Sequence, residues 1–166
     1  MSKYKIHGRL GLTGSGKSLD QTESDILDFI LDGVEVWSCY WLNIDLPNVH
    51  YFTEFEEIED LRNAVVVFDE ITDFFDPRDW ENESKGVRRW FRLHRKRHLH
   101  IYFNTQDISL VAKTIGTLCH EWLYIKENNL GVIMEWIFKI IGRKERISMK
   151  IYEMTYQELK KMAVLS

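Results

Sequence analysis

Residues 11 to 18 read Gly11, Leu12, Thr13, Gly14, Ser15, Gly16, Lys17 and Ser18. Glycines at the first and sixth places let a backbone curl until its amides face inward, the arrangement that cradles phosphate oxygens where a helix begins. Lys17 is then placed to meet the β and γ phosphates of a bound nucleotide, and the Ser18 hydroxyl to ligate a magnesium ion. The candidate nucleotide-binding set is these eight residues together with Leu19. Background frequencies would yield such a pattern in roughly one chain of this length per hundred. A plain glycine-rich turn is the alternative, and it requires neither a strand before it nor a helix after it.

Further along, Ala64, Val65, Val66, Val67 and Phe68 form a continuous apolar run that ends in Asp69 and Glu70. A phosphate loop needs a second carboxylate across the magnesium, carried by the end of a buried strand, and Asp69 fits that place. Glu70, the next residue, is placed to take a proton from an attacking water as general base. An acid in that second position favours a water-activating ATPase over a small GTPase, and no guanine-recognition motif is found. Two other patterns carry less. His94 and His98 stand four apart with His100 close behind, yet no third ligand at cysteine or acid spacing accompanies them. Trp37, Trp41, Trp80, Trp90, Trp122 and Trp136 fall mostly in apolar segments and read as core rather than as stacking platforms.

Elements must bring these groups together. Tyr4, Ile6, Gly8 and Leu10 alternate with polar residues and predict a strand leading into the loop. From Ser18 to Leu31, Leu19, Ile26, Leu27, Ile30 and Leu31 predict a helix that Gly33 ends. A second strand is predicted over Val34 to Trp41, with Asn43 and a turn at Pro47 and Asn48 behind it. Thr53 and Glu56 form a capping box for a short acidic helix to about Arg62. The run from Ala64 to Asp69 reads as a strand covered on both faces. Ser84 can cap a helix whose apolar stripe is Val87, Trp90, Phe91 and His94, with Arg88, Arg92 and Arg95 on another face. Leu99 to Thr105, Ile108 to about Thr114, and Leu118 to Lys126 follow as strand, short helix and strand. The alternation predicts an α/β fold, a three-layer sandwich with a mostly parallel sheet. Gly131 to Ile141 and Arg146 to Met154 read as a hairpin or edge strands, with a helix from Thr155.

The chain of 166 residues, 45% hydrophobic with two prolines and nine glycines, predicts one domain over 1–166, its core at about 4–126. No apolar leader opens it, which predicts a cytoplasmic protein in which Cys39 and Cys119 stay reduced. Leu130 to Ile141 is broken by Glu135 and Lys139 and is too short to span a bilayer, so no membrane span is expected. The net charge of -4 conceals a division. Residues 19 to 83 hold nineteen acids against two bases, whereas residues 84 to 166 hold sixteen bases against seven acids. Seven of those bases fall between Lys85 and Arg97 with no acid among them. Such a run is either a solvated helix face or a lining that neutralises phosphates.

The phosphate loop, the Asp69 and Glu70 strand, and above all the segment from His94 to Gln106 resemble the FtsK/HerA superfamily of pumping ATPases. Within it they are most similar to the ATPase domain of the zonular occludens toxin-like proteins of phages. The resemblance covers roughly residues 4 to 126. It implies a fold of the additional-strand, catalytic-glutamate type, in which the strand ending at Asn104, Thr105 and Gln106 lies between the phosphate-loop strand and the Asp69 strand. It implies Gln106 as a polar sensor of the γ phosphate, and a homo-oligomeric ring, commonly a hexamer, in which a neighbour's arginine completes each site. Arg95 occupies the matching position, with Arg92 and Arg97 as rivals. ATP and Mg2+ are the implied cofactors and DNA the implied cargo, with Lys85, Arg88, Arg89 and Lys96 as the contact set. Membrane-anchored members carry a transmembrane segment after this domain, and the cellular translocases a large accessory domain. Neither is seen here, which leaves a minimal motor of the kind that packages a viral genome. The rival is a morphogenesis ATPase acting on coat or capsid protein, and a small-molecule kinase is disfavoured for want of a lid or acceptor pocket.

Overall fold

The computed structural model describes residues 4–75, 85–127, 149–154 and 157. The strands are β1 (Ile6–Leu10), β2 (Glu35–Ser38), β3 (Val49–Tyr51), β4 (Ala64–Phe68), β5 (Leu99–Thr105), β6 (Glu121–Glu127) and β7 (Met149–Met154). They form one sheet in the order β3-β2-β4-β5-β1-β6-β7. All neighbours pair in parallel except β6 and β7, which are antiparallel, so β7 is the edge strand expected near the C-terminus. The helices are α1 (Lys17–Gln21), α2 (Leu27–Leu31), α3 (Lys85–Arg97) and α4 (Lys113–Leu118). A π-helical turn, Thr22–Ile26, joins α1 to α2.

The sheet is covered on both sides, as the unbroken apolar run of β4 predicts: all five of its residues are buried. Val65 and Val67 pack with Ile26, Ile30, Val36 and Tyr102 under the π-turn and α2. Ala64, Val66 and Phe68 pack with Val87, Trp90, Phe91 and Phe103 under α3. The stripe predicted for α3, including His94, is buried throughout. Gly8 lets Trp122 and Phe103 close over β1, since a Cβ there would sit 2.7 Å from the Trp122 ring.

Register decides where the chemistry gathers. Leu10 pairs with Thr105 and Phe68 with Phe103, so β1, β4 and β5 end at one edge of the sheet with β5 in the middle. That is the interposed strand the resemblance implies.

Several expectations are corrected. The helix after the loop is interrupted by the π-turn, and Leu19, Leu27 and Leu31 are exposed because only Ile26 and Ile30 face the sheet. The second strand is shorter than Val34 to Trp41, and the turn at Pro47 and Asn48 is present but leads into a strand that was not expected, β3. The acidic helix is a single 3-10 turn, Phe55–Glu57, closed by a reciprocal cap between Glu54 and Glu57 rather than between Thr53 and Glu56. Glu56 and Asp60, like charges four residues apart, oppose its extension. Leu118 ends α4, and β6 begins only at Glu121. The expected helix from Ile108 splits into a 3-10 turn, Ile108–Leu110, and α4. Ser84 and the 131–141 hairpin segment lie outside the described residues, and of the helix expected from Thr155 only Gln157 is described, in helical conformation.

Candidate nucleotide site

The loop leaves β1 at Gly11, whose N–H donates to Thr105 O at 3.2 Å. A Cβ at Gly11 would lie 2.5 Å from Ile125 O, so only glycine fits between β1 and the end of β6. Gly16 turns the chain into α1 with φ 90°, a left-handed conformation that glycine adopts without strain. No side chain caps α1, which leaves its first amides available to an anion.

Lys17 is buried and folds back over the loop, its Nζ donating to Gly11 O at 2.6 Å and Leu12 O at 3.0 Å. Burial lowers its pKa, and the charges of Glu70 and Asp69 oppose that shift. Ser18 Oγ donates to Asp69 Oδ1. Asn104, fully buried at the end of β5, donates from Nδ2 to Asp69 Oδ1 and Gln21 Oε1, each at 3.3 Å, and to Ser18 Oγ at 3.4 Å. Ser18 and Asp69 are thus joined, one from the loop helix and one from β4.

The donor set at this edge is suited to magnesium. A hydroxyl and a carboxylate oxygen are the hard ligands it prefers, and it usually takes few protein ligands while phosphate and water fill the rest. Ser18 and Asp69 therefore fit it. Among the described residues no group of three His, Cys, Asp or Glu could hold a metal by itself. His94 is buried with Nδ1 on Phe91 O at 2.7 Å, and His98 Nδ1 meets Asn63 Oδ1 at 2.8 Å, which separates that pair.

Glu70 is half-buried at the same edge. Its Oε1 accepts from Thr72 Oγ1 at 3.0 Å and its Oε2 from the Gln106 N–H at 3.1 Å. The Gln106 side chain reaches the loop, with Oε1 accepting from Thr13 Oγ1 at 2.7 Å. Lys17, Ser18, Asp69, Glu70 and Gln106 are therefore brought together. Sequence reasoning missed Asn104, Gln21, Tyr40 and Cys39. The Tyr40 hydroxyl shares a hydrogen bond with Thr22 Oγ1 at 3.0 Å, and burial pushes its pKa up to about 12. Cys39, a free thiol, accepts the Asp69 N–H at 3.1 Å, and burial pushes its pKa up to about 11. Only Asn104 gave a signal, as a polar residue within an apolar strand.

Arg95 lies elsewhere. It is exposed near the end of α3, its Nη2 2.5 Å from His120 Nε2, at the edge where β5 and β6 begin. Seven residues of β5 separate that edge from Gln106, roughly 20 Å. The basic run also divides. Lys85 opens α3, Arg88 is half-buried, and Arg89 and Lys96 are exposed. Arg89 and Lys96 line a groove of about 450 Å³ with Arg97, Glu59 and Arg62, the last two contributed by a distant segment. Of the tryptophans described, Trp90 and Trp122 are buried, but Trp41 is 70% exposed and stacks on Tyr51.

A phosphate loop, a buried strand ending in two acids, and a third strand between them define a P-loop ATPase of the α/β sandwich type. The family described as zonular occludens toxin (Zot) matches residues 42–164, and the chain belongs to it. The match begins after the phosphate loop. The chain's fold is similar to that of the genome packaging NTPase B204 from Sulfolobus turreted icosahedral virus 2 in complex with ATP-gammaS (TM-score 0.61, 14% identical, covering 92% of this chain and 93% of that one). It is similar to B204, the DNA-packaging ATPase from Sulfolobus turreted icosahedral virus (TM-score 0.63, 12%, 92% and 98%). It is also similar to the N-terminal domain of zonular occludens toxin from Neisseria meningitidis (TM-score 0.54, 19%, 77% and 80%). A search of curated protein sequences gives no match. No helix among the described residues is long and apolar enough to cross a membrane.

Proposed function

We propose that this chain is a motor of the FtsK/HerA type that uses ATP hydrolysis to move viral or phage DNA, working as a ring, of six copies on the family's pattern, in the host cytoplasm. The reading takes residues 1–166 as one ATPase domain. The observation that carries it is the meeting of Lys17, Ser18, Asp69, Glu70 and Gln106 where β1, β4 and β5 end together. Packaging NTPases among its structural relatives and the basic surface of α3 support DNA as cargo.

The roles follow from position. Gly11 to Leu19 wrap the phosphates, and Lys17 exchanges its two loop carbonyls for the β and γ phosphates. Ser18 and Asp69 would hold magnesium, which when bound offsets charge on the transferring phosphoryl group. Glu70 takes a proton as the water oxygen bonds to the γ phosphorus and the bond to the bridging oxygen breaks. Gln106 contacts the γ phosphate from the third strand. Arg95, remote from its own Glu70, serves the site of a neighbouring copy.

The test is ATP hydrolysis with and without single- and double-stranded DNA at two salt concentrations. Stimulation by DNA is expected, and Arg89→Ala with Lys96→Ala should weaken DNA binding and flatten its salt dependence by about one unit of slope per lost phosphate contact. Hydrolysis that ignores both DNAs but responds to coat or capsid protein would replace the DNA reading with a morphogenesis ATPase.

A further inference from the structure

Arg9 lies on β1 two residues before Gly11 and is 1% exposed. An arginine keeps its charge in a protein, so a buried guanidinium needs carboxylates. It has two. Nε donates to Asp20 Oδ2 at 2.9 Å, and Nη2 donates to Asp25 Oδ2 at 2.6 Å. Asp20 is itself buried, stands two residues after Ser18, and accepts a further bond from Ser24 Oγ at 3.1 Å. The ion pairs thus tie the residue just before the phosphate loop to residues just after it.

The helix is shaped to allow this. In an unbroken α-helix, residues five apart point about 140° away from each other, so Asp20 and Asp25 would not share one partner. Thr22–Ile26 is instead a π-turn, in which the Leu27 N–H donates to Thr22 O across five residues. That wider turn brings residues five apart onto one side, and such turns recur at functional sites. Both carboxylates then reach the same guanidinium.

We propose that Arg9, Asp20 and Asp25 form a clamp that holds the loop Gly11 to Ser18 at the span needed to receive nucleotide phosphates, with the π-turn as the device that brings Asp25 into it. The proposal rests on the reading that this loop binds ATP. The three are positioning residues, acting through the loop. Loop contacts to the phosphates form before the chemical step and persist through it, so loosening the clamp weakens binding far more than it slows turnover.

The experiment uses the full chain with Asp25→Asn, Arg9→Met and, as a control, Asp28→Asn, an exposed residue on the same helix. Affinity for a fluorescent ATP analogue, KM, kcat and melting temperature are measured for each. Asp25→Asn is expected to bind the analogue about tenfold or more weaker, with KM rising in step and kcat changing by no more than about threefold, while Asp28→Asn matches the unaltered chain. Arg9→Met should lose more affinity than Asp25→Asn. If Arg9→Met fails to fold, Asp25→Asn decides, because that side chain is 26% exposed and tolerates an isosteric change. Unaltered affinity in folded Asp25→Asn, whatever its melting temperature, would overturn the clamp and leave the ion pairs a purely structural role. Failure of the unaltered chain to bind the analogue would overturn the ATP reading itself.

Discussion

Glu70 accepts the backbone N–H of Gln106 at 3.1 Å, while the Gln106 side chain accepts the Thr13 hydroxyl at 2.7 Å. One residue therefore meets the β4 carboxylate with its backbone and the phosphate loop with its side chain. Gln106→Ala removes only the second contact. ATP should still bind, and hydrolysis should slow by about a hundredfold, the scale of losing one well-placed polar group at a reacting centre. Equilibrium titration and steady-state rates check this, and a wild-type rate in Gln106→Ala would exclude a sensor role.

Lys17 is the charge nearest the expected phosphates, held over Gly11 O and Leu12 O and flanked by Glu70 and Asp69. Lys17→Ala should abolish measurable ATP binding without unfolding the chain, since the side chain points into the loop and not into either packed layer. Circular dichroism together with nucleotide titration reads both halves. Tight binding by the folded variant would show that the loop holds phosphate by its amides alone.

Arg95 and Glu70 stand at opposite edges of the sheet, so an arginine in this position reaches a γ phosphate only from another copy. Arg95→Ala should bind ATP normally and hydrolyse it about a thousandfold more slowly. Mixed with Glu70→Gln it should regain some activity, because each variant keeps what the other lacks. A mixture that co-assembles and stays inactive assigns Arg95 to its own subunit's fold, where it faces His120.

Stability should depend on pH through two histidines whose pKa the fold lowers, the buried His94 and the more exposed His120. Burial is the largest cause lowering the pKa of His94 and of His120, and the charge of Arg95 lowers both further. A histidine depressed in the folded state binds protons more readily when unfolded, so stability is fully present above the unfolded value near 6.5 and is lost as pH falls. The urea midpoint should therefore drop between pH 7.5 and 5.5. His94→Phe should lower stability at every pH, by losing the bond to Phe91 O, and flatten that slope. An unchanged slope would move the effect to other groups.

The catalytic outline was legible because each part is local. A loop of eight residues, an apolar run ending in two acids and a strand ending at Gln106 each carry their own pattern. The three-strand order needed the resemblance, since composition cannot say which parallel strands adjoin. What stayed hidden depends on distant pairing. Asn104 meets Asp69 and Gln21, and Arg62 comes to line one groove with Arg89 and Lys96, only after the chain has folded. The π-turn left no trace, because Ile26 and Ile30 keep helical spacing on either reading. β3 was missed because three residues are too few to show alternation.

The central claim is that Glu70 is the group that takes the proton from water at a site where ATP is held by Lys17 and Ser18. It is tested most directly by comparing hydrolysis by the unaltered chain and Glu70→Gln at equal ATP occupancy in magnesium buffer. The account predicts undiminished ATP binding and a rate lower by on the order of a hundredfold or more, because an amide cannot accept the proton. Equal rates at equal occupancy would contradict it.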